Sequence, residues 1–342
     1  IKAKALYKDI PFVFEMIKEI LKTSKLEDEK RLYEIIAKMK SRLQMSLVSS
    51  GHTTAAMRAL SYFSAGSCFQ EKISGVDFYQ LINDIEENFE QRKADVIAKL
   101  KELMGCVFRA ENLMVSYTSE EKGYEGLEKE IKEFKEILYT GEKKETASYS
   151  SCVVKNEGFK TAGQVQHVAA AGNFKEAGFE YTGALRILKV MLSYEYLWMN
   201  IRVKGGAMSS FRRNGDGFLV SYRDPNLEKT LEVFRKTGDF IRSFDADERE
   251  MTKYIIGTIS ELDVPMTPST KGNMSLNAWF SKVTEEDMQR ERQEILDAQP
   301  KDIRKLAGIV DAMMEQNRIC VVGSEEKIEQ EKKVFEVTKH LL

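Results

Sequence analysis

The sequence lacks several features that would place it in common functional classes. Its 342 residues carry 52 Lys and Arg against 54 Asp and Glu, so there is no basic excess to displace counterions from nucleic-acid phosphates. No apolar run approaches the roughly 18 residues that a membrane-spanning helix needs. We therefore expect neither a nucleic-acid partner nor a membrane partner.

Cysteine and histidine are scarce and scattered. The four cysteines (Cys68, Cys106, Cys152, Cys320) form no Cys-x-x-Cys pair, which argues against a zinc ribbon or a disulfide scaffold and favours a reducing compartment. The three histidines (His52, His167, His340) lie in neither His-x-x-Glu-His nor His-Glu-x-x-His, the spacings that bring two imidazoles onto one metal. We interpret each histidine as structural and expect this chain to bind no metal.

Apolar periodicity predicts a helix-rich first part and a mixed second part. Helices are expected after Asp9, with Pro11 in the first turn, and then over residues 27–47, 53–63 and 78–103. A short strand is expected over Leu113–Thr118, followed by a helix that Ser119 caps. Further strands are expected within 162–172, 215–224 and 319–322, the last followed by a helix to the C-terminus, with His340 in its final turn.

A weak internal duplication organises these elements. The segment "FDADEREMTKYII" (244–256) resembles "LEDEKRLYEII" (26–36), and Asp224-Pro225-Asn226 resembles Asp9-Ile10-Pro11. We predict an α+β fold of two related domains, each with helices packed on a mainly antiparallel sheet. The domains are residues 1–140 and 151–342, joined by a polar linker at 141–150. The first domain is truncated at its N-terminus, and the opening Ile-Lys-Ala-Lys-Ala-Leu suggests a fragment of a larger protein.

Residues 202–226, "RVKGGAMSSFRRNGDGFLVSYRDPN", are the strongest candidate for a site. The glycine pair is followed by no Lys-Ser/Thr, and it does not fit Gly-x-Gly-x-x-Gly, so a phosphate loop is excluded. Read from the residues alone, Arg202 to Arg223 is a β-hairpin, because Asn214-Gly215 is a strong turn signal.

The same residues resemble a known family. "YLWMNIRVKGGA" followed by "FLVSYRDPNLEKTLEVF" is similar to the C-terminal half of presequence proteases, a branch of the pitrilysin and insulinase-type zinc metallopeptidases. "SSGHTTAAMRALSYFS" is similar to the preceding domain of that branch. The resemblance implies four homologous α+β domains in two bowl-shaped halves around a closed chamber, with the zinc ligands in the first domain. This chain would hold the C-terminal part of the third domain and the whole of the fourth.

The resemblance also implies which residues act. The family places an arginine, and six residues later a tyrosine, at the active site, and Arg202 matches the arginine. Gly205 and Gly206 would bind substrate, since glycines allow its backbone to approach closely. Met208 stands where the tyrosine is expected. It is either a true substitution or the residue after a short missing loop that carries the tyrosine; the family pattern resuming at "SSFRRNGDGFLVSYRDPN" favours the missing loop.

The function implied by the resemblance is peptide degradation. We expect the C-terminal half of a zinc metalloendopeptidase for short unfolded peptides, which closes the chamber over the N-terminal half of the same enzyme and supplies Arg202 to its zinc site. Zinc would be the cofactor of the full-length enzyme, and this chain alone would be inactive. The location would be the bacterial cytoplasm or an organelle matrix. The alternative is a non-catalytic homologue that acts as a scaffold or peptide-binding partner.

Overall fold

The computed structural model describes residues 1–141, 150–201 and 206–342. Within these ranges the α-helices are, in chain order, α1 (Ile10–Thr23), α2 (Glu29–Ser49), α3 (Gly51–Ser61), α4 (Ala65–Ser74), α5 (Val76–Glu87), α6 (Phe89–Val107), α7 (Leu127–Glu136), α8 (Ala184–Met191), α9 (Leu197–Ile201), α10 (Glu228–Arg235), α11 (Thr237–Arg242), α12 (Glu248–Leu262), α13 (Pro268–Ser281), α14 (Glu285–Leu296), α15 (Pro300–Lys305), α16 (Ala307–Glu315) and α17 (Glu325–Gln330). The strands are β1 (Asn156–Thr161), β2 (His167–Asn173), β3 (Gly206–Phe211), β4 (Asp216–Tyr222), β5 (Arg318–Ser324) and β6 (Val337–His340).

The six strands form a single sheet in the order β3-β4-β2-β5-β1-β6. Its antiparallel pairs are β3–β4, β4–β2 and β2–β5, and its parallel pairs are β5–β1 and β1–β6. The sheet is therefore mixed and mainly antiparallel. Together with the many helices, this confirms the predicted α+β class.

Both faces of the central strands are buried. Along β2, Val168 and Ala170 belong to one hydrophobic cluster, whereas Ala169 and Ala171 belong to another, because successive side chains of a strand point to opposite faces. Helices including α8, α10 and α16 fill the first cluster, and α3 contributes most to the second. The sheet is thus the middle layer between helices, and its almost continuous apolar sequence is typical of strands that are covered on both sides.

Small residues let α3 lie close to the sheet. Ala55 and Ala59 are fully buried in the second cluster. At the start of the helix, a Cβ on Gly51 would come within 2.4 Å of Cδ2 of His167. The helix could not approach β2 as closely with a larger residue at position 51.

A buried arginine fixes α3 in place. Arg58 is 5% exposed and forms ion pairs with three carboxylates, those of Glu71 (3.3 Å), Asp77 (2.9 Å) and Glu157. Glu157, on β1, also pairs with Lys339 of β6 at 2.8 Å. Burial alone would raise the pKa of the Glu157 carboxyl, but Arg58 and Lys339 outweigh burial and lower that pKa. Residues from α3, α4, α5, β1 and β6 therefore meet in one charged network.

The contacts divide the chain into two compact units. Unit 1 comprises Ile1–Met39, Asn83–Ala147 and Pro265–Thr284, and unit 2 comprises Lys40–Ile82, Ser148–Val264 and Glu285–Leu342. The predicted domain boundaries follow the internal duplication rather than these contacts, and they stay a prediction. Residues 142–149 of the predicted linker lie outside the described residues.

Unit 1 is sparsely packed. Its aromatic contacts include Phe14 with Phe134, at 5.8 Å between ring centroids, and Tyr33 with Phe89, at 5.1 Å. Large apolar side chains such as Trp279 remain 65% exposed. Both hydrophobic clusters found among the described residues belong to unit 2.

Several local expectations are wrong. Leu113–Thr118 forms no strand, because the described part of unit 1 offers no neighbouring strand to pair with. The next helix, α7, begins at Leu127, and the Ser119 hydroxyl donates to the carbonyl of Glu120 instead of capping a helix. The chain does not end in a helix, because β6 pairs with the free edge of β1, and His340 therefore lies on a strand.

The predicted positions of the first three helices are confirmed. Helix α1 follows Asp9 with Pro11 in its first turn, and α2 and α3 match the predicted ranges to within a few residues. No helix in the described ranges is both long and apolar enough to cross a membrane.

We expect amide hydrogen exchange to follow the two units rather than the order of the chain. Residues 40–82 should exchange as slowly as the sheet, because α3 is buried against it, whereas residues 1–39 and 83–141 should exchange faster. Exchange measured by mass spectrometry on peptides from each range tests this. Equal rates in 1–39 and 40–82 would show that α3 opens independently of the sheet.

We expect Arg58→Met to lower the free energy of unfolding of unit 2 by roughly 3 kcal/mol or more, because Glu71 then stays buried without its cation. Urea denaturation followed by circular dichroism measures the change. The control is Arg290→Met, which removes an exposed pair with Asp287 within α14 and should cost less than about 1 kcal/mol. Equal effects of the two substitutions would contradict the role assigned to Arg58.

Candidate functional site

The hairpin predicted within residues 202–223 is present. β3 pairs with β4 from Gly206↔Tyr222 to Phe211↔Gly217 without interruption. Asn214-Gly215 makes the turn, where Gly215 adopts a φ of 95° and its N–H donates to the carbonyl of Arg212 at 2.9 Å. The turn signal in the sequence was therefore sufficient to locate the hairpin.

Of the predicted site residues, Gly206 is described, and it lies at the end of the hairpin away from the turn. Helix α9 ends at Ile201 and β3 begins at Gly206, while Arg202 and Gly205 lie outside the described residues. Gly206 is half-buried, and a Cβ there would lie 3.9 Å from Cβ and Cδ1 of Tyr222, an ordinary contact distance. The described neighbours of Gly206 therefore leave room for a side chain at this position.

Three aromatic side chains meet next to Gly206. His52 of α3, His167 of β2 and Tyr222 of β4 form what we call the histidine–tyrosine cluster. The His52 ring centroid lies 4.8 Å from that of Tyr222 and 6.0 Å from that of His167, and the His167 and Tyr222 centroids are 5.5 Å apart. Since Tyr222 is the pairing partner of Gly206, the cluster sets the position of the first residue of β3.

The chain just beyond β4 holds His167 in place. Arg223 adopts a φ of 53°, which is uncommon for a non-glycine residue, and its N–H points at Nδ1 of His167 at 3.4 Å. Gln166 and Asp224 then exchange backbone hydrogen bonds of 2.7 and 2.8 Å, which close the sheet at this corner. Because Nδ1 of His167 accepts a hydrogen bond, its proton is assigned to Nε2.

The cluster is electrically neutral at neutral pH. Burial, followed by the charges of His52 and Arg223, lowers the pKa of His167 from 6.5 to about 4. Burial also lowers the pKa of His52. Within the described residues, Nδ1 of His52 and the side-chain amide of Gln166 are buried without a hydrogen-bond partner. Neutral imidazoles can donate and accept hydrogen bonds here, but they supply no positive charge.

The described residues do not fit a zinc ion. No group of three or more His, Cys, Asp or Glu side chains in the described ranges has the geometry to hold a metal. The two cluster histidines have an aromatic ring and a backbone N–H as neighbours, rather than the third ligand that a zinc site requires. The cluster therefore organises the end of the hairpin, and metal chemistry cannot be assigned to it.

Sequence reasoning did not find this cluster. His52 and His167 are far apart in the chain, and neither belongs to a recognisable motif. Gly51 was a faint signal, because a glycine before a histidine at a helix start is consistent with close packing against a neighbour. Tyr222 gave no signal beyond an ordinary strand residue.

Two family models match the chain. The model described as PreP C-terminal domain matches residues 156–325, which contain the hairpin, two of the three cluster residues and five of the six strands. The model described as Peptidase M16C associated matches residues 1–85, which contain α3 and His52. The cluster therefore joins residues from both matched regions.

The curated relatives extend along the same regions. Protein HypA of Clostridium perfringens (strain 13 / Type A) is 37% identical over 345 residues, covering 100% of this chain and 35% of the relative. Presequence protease 1, chloroplastic/mitochondrial, of Arabidopsis thaliana is 29% identical over 338 residues, covering 96% of this chain and 31% of the relative. The chain thus spans about a third of the length of these relatives.

A solved structure shares the fold. The crystal structure of pitrilysin superposes with a TM-score of 0.57 over 92% of this chain and 33% of that chain, at 12% sequence identity. At this identity the likeness concerns the arrangement of helices and strands alone.

The lowered pKa of His167 predicts a loss of stability in acid. The unfolded chain takes up a proton on this imidazole below about pH 6.5, whereas the folded chain does so only below about pH 4. Stability is therefore lost as the pH falls through this window, by roughly 3 kcal/mol for a shift of this size. His167→Phe cannot titrate and should reduce the difference in unfolding free energy between pH 7 and pH 4 by about that amount.

Urea denaturation of both chains at several pH values measures the effect. His340→Gln is the matched control, because it removes an imidazole that is 64% exposed and lies outside the cluster; His167→Phe should change the pH dependence more than this control does. If His167→Phe left it unchanged, His167 would already be protonated in the folded state near pH 6.

Proposed function

This chain belongs to the presequence-protease branch of the M16 peptidase family, and we propose that it forms the C-terminal half of a zinc metalloendopeptidase for short unfolded peptides. The observation that carries the proposal is that two family models match successive parts of the chain, one over residues 1–85 and the other over residues 156–325. The identity to a relative named a presequence protease, which extends over 96% of the chain, supports it.

The partner in this proposal is the N-terminal half of the same enzyme. Because the described residues of this chain do not fit a zinc ion, the metal ligands are assigned to that half. We propose that the chain alone is inactive. In the full-length enzyme it would close the chamber and add Arg202 to the zinc site. We place the enzyme in a bacterial cytoplasm or an organelle matrix, in keeping with the bacterial and the chloroplastic/mitochondrial relatives.

Arg202 is proposed to act directly on substrate. A fixed guanidinium can bind the carbonyl oxygen of the scissile peptide bond and the negative charge that develops on that oxygen as water adds. Gly205 and Gly206 are proposed to line the path of the substrate backbone at the start of β3. This arrangement is supported by the fixed position of Gly206. Gly206 pairs with Tyr222, and the rings of His52 and His167 pack against Tyr222.

In the full-length enzyme, Arg202→Ala should lower kcat about 10²- to 10³-fold and change KM much less, because the interaction strengthens as the oxyanion forms. Arg202→Lys should restore only part of the rate, since an ammonium lacks the planar fork of donors. Steady-state cleavage of an unfolded peptide measures both constants, and thermal unfolding confirms that the variants are folded.

The matched control is Arg212→Ala, an exposed arginine at the turn of the same hairpin, which should leave kcat unchanged. The assignment fails if Arg202→Ala lowers the melting temperature while turnover per folded molecule stays the same. In that case Arg202 stabilises the strand and does not contact the reacting carbonyl.

One observation favours the alternative of a non-catalytic homologue that binds peptides. Met208 is 45% exposed and lies in a strand whose pairing with β4 is unbroken, Met208 opposite Val220. Met208 therefore supplies no hydroxyl donor at the position where the resemblance places the tyrosine. If the N-terminal half lacks His-x-x-Glu-His and the assembled protein binds a labelled peptide without cleaving it, the scaffold function replaces the enzymatic one.

A further inference from the structure

Two cysteine side chains that the proposed function does not use are in contact. Sγ of Cys68 and Sγ of Cys152 lie 2.8 Å apart in unit 2. Cys68 is on α4 and is 2% exposed, whereas Cys152 precedes β1 and is half-buried. Among the described residues, no hydrogen bond joins any other pair of cysteine side chains.

Backbone hydrogen bonds hold both cysteines in position. The N–H of Cys152 donates to the carbonyl of Ser61, at the end of α3, at 2.9 Å. The N–H of Cys68 donates to the carbonyl of Ser64 at 2.8 Å, in the first turn of α4. Because the two carbonyls are only three residues apart, the thiols are fixed to the same corner of the fold. A bond of about 2.05 Å between the sulfurs requires them to approach by less than 1 Å.

We propose that Cys68 and Cys152 are an oxidation site, at which a low-molecular-weight disulfide such as oxidised glutathione converts the thiol pair into an intramolecular disulfide. This inference does not depend on the proposed peptidase function. It assigns a covalent modification to residues that lie outside the hairpin and the histidine–tyrosine cluster.

The reaction has two exchange steps. The Cys152 thiolate, which is the more accessible, attacks one sulfur of oxidised glutathione, forms a mixed disulfide and releases the first glutathione thiolate. The Cys68 thiolate then attacks Sγ of Cys152 and releases the second. Two electrons pass from the protein thiols to the glutathione disulfide, and the two thiol protons end on the two glutathione molecules formed.

The surroundings of the pair make the reaction slow at neutral pH. Burial, followed by the hydrogen bond with Cys68, raises the pKa of the Cys152 thiol to about 11. The reactive thiolate is therefore rare at pH 7, and its fraction should rise about tenfold for each pH unit below that pKa. Such a site stays reduced under mild conditions and closes when the oxidant persists.

The consequence of closure is a constraint on a long stretch of chain. Cys68 and Cys152 are 84 positions apart in sequence. The segment between them contains one of the three stretches of unit 1, the one that begins at Asn83. Cross-linking a loop of this length removes much of the freedom of the unfolded chain and stabilises the folded one. The disulfide would fasten α4 to the strand-bearing part of unit 2.

The test treats the 342-residue chain with oxidised glutathione and then alkylates free thiols in denaturant. Two of the four thiols should resist alkylation, the mass should fall by two hydrogens, and no glutathione should remain bound. Peptide mapping without reductant should find Cys68 and Cys152 joined. The melting temperature of unit 2 should rise by roughly 5 to 10 °C and return after reduction.

Substitutions separate this site from unspecific oxidation. Cys152→Ser should abolish the thiol protection and the thermal shift, and Cys68→Ala should do the same while avoiding a buried hydroxyl. Cys106→Ser, at a half-buried thiol of α6, should keep both effects. The rate of closure in the unmodified chain should rise about tenfold per pH unit between pH 7 and pH 9.

Three results would overturn the proposal. They are four alkylated thiols after prolonged oxidation, a stable mixed disulfide on Cys152 with Cys68 still free, and a cross-link that runs through Cys106 or Cys320. The first would show that the thiols do not react, the second that Cys68 cannot reach Cys152, and the third that oxidation is not directed to this pair.

Discussion

The charge of Arg58, held away from water between Glu157 and Glu71, is the constraint on which unit 2 depends. An alanine-lined helix such as α3 could pack on a sheet in several rotations, because apolar contact has little direction of its own. A buried guanidinium has few acceptable positions, since each unpaired charge in the interior is costly. We infer that the ion pairs select one rotation of α3. With that rotation fixed, the opposite end of the helix presents His52 to the hairpin.

Helix α3 therefore links two regions that the sequence keeps apart. Its N-terminal end contacts Tyr222 of β4 through His52, and its C-terminal half carries Arg58 to Glu157 of β1. Because the sheet runs β4-β2-β5-β1 between these contacts, the helix lies across four strands. The end of β3 is thus positioned by residues within 1–85 as well as by the sheet itself. A substitution in α3 can alter the geometry at Gly206 without touching the hairpin.

The sequence was most informative where a signal was local. Pro11 marked the start of α1, and Asn214-Gly215 marked the hairpin turn, because each signal acts within a few residues. It misled where the outcome depended on distant partners. Leu113–Thr118 looked like a strand, but the described part of unit 1 has no strand beside it. The C-terminal residues looked helical, but they pair with the edge of β1. The histidine–tyrosine cluster and the thiol pair could not be predicted, since both arise from packing between segments that no motif connects.

Unit 2 consists of three stretches that are separated in the sequence. Because the ribosome releases them one after another, this separation constrains how unit 2 can fold during translation. β1 pairs with β5 and β6, so it has no strand partner until residues far along the chain have left the ribosome. Pairing of this kind is slow, because a long loop must close before its contacts stabilise it. Until then α3 can pack only against the β2–β4–β3 part of the sheet, and Glu157, the partner of Arg58, lies on a strand that lacks both of its neighbours. Residues 40–82 therefore stay incompletely folded until β6, which carries Lys339, has been synthesised.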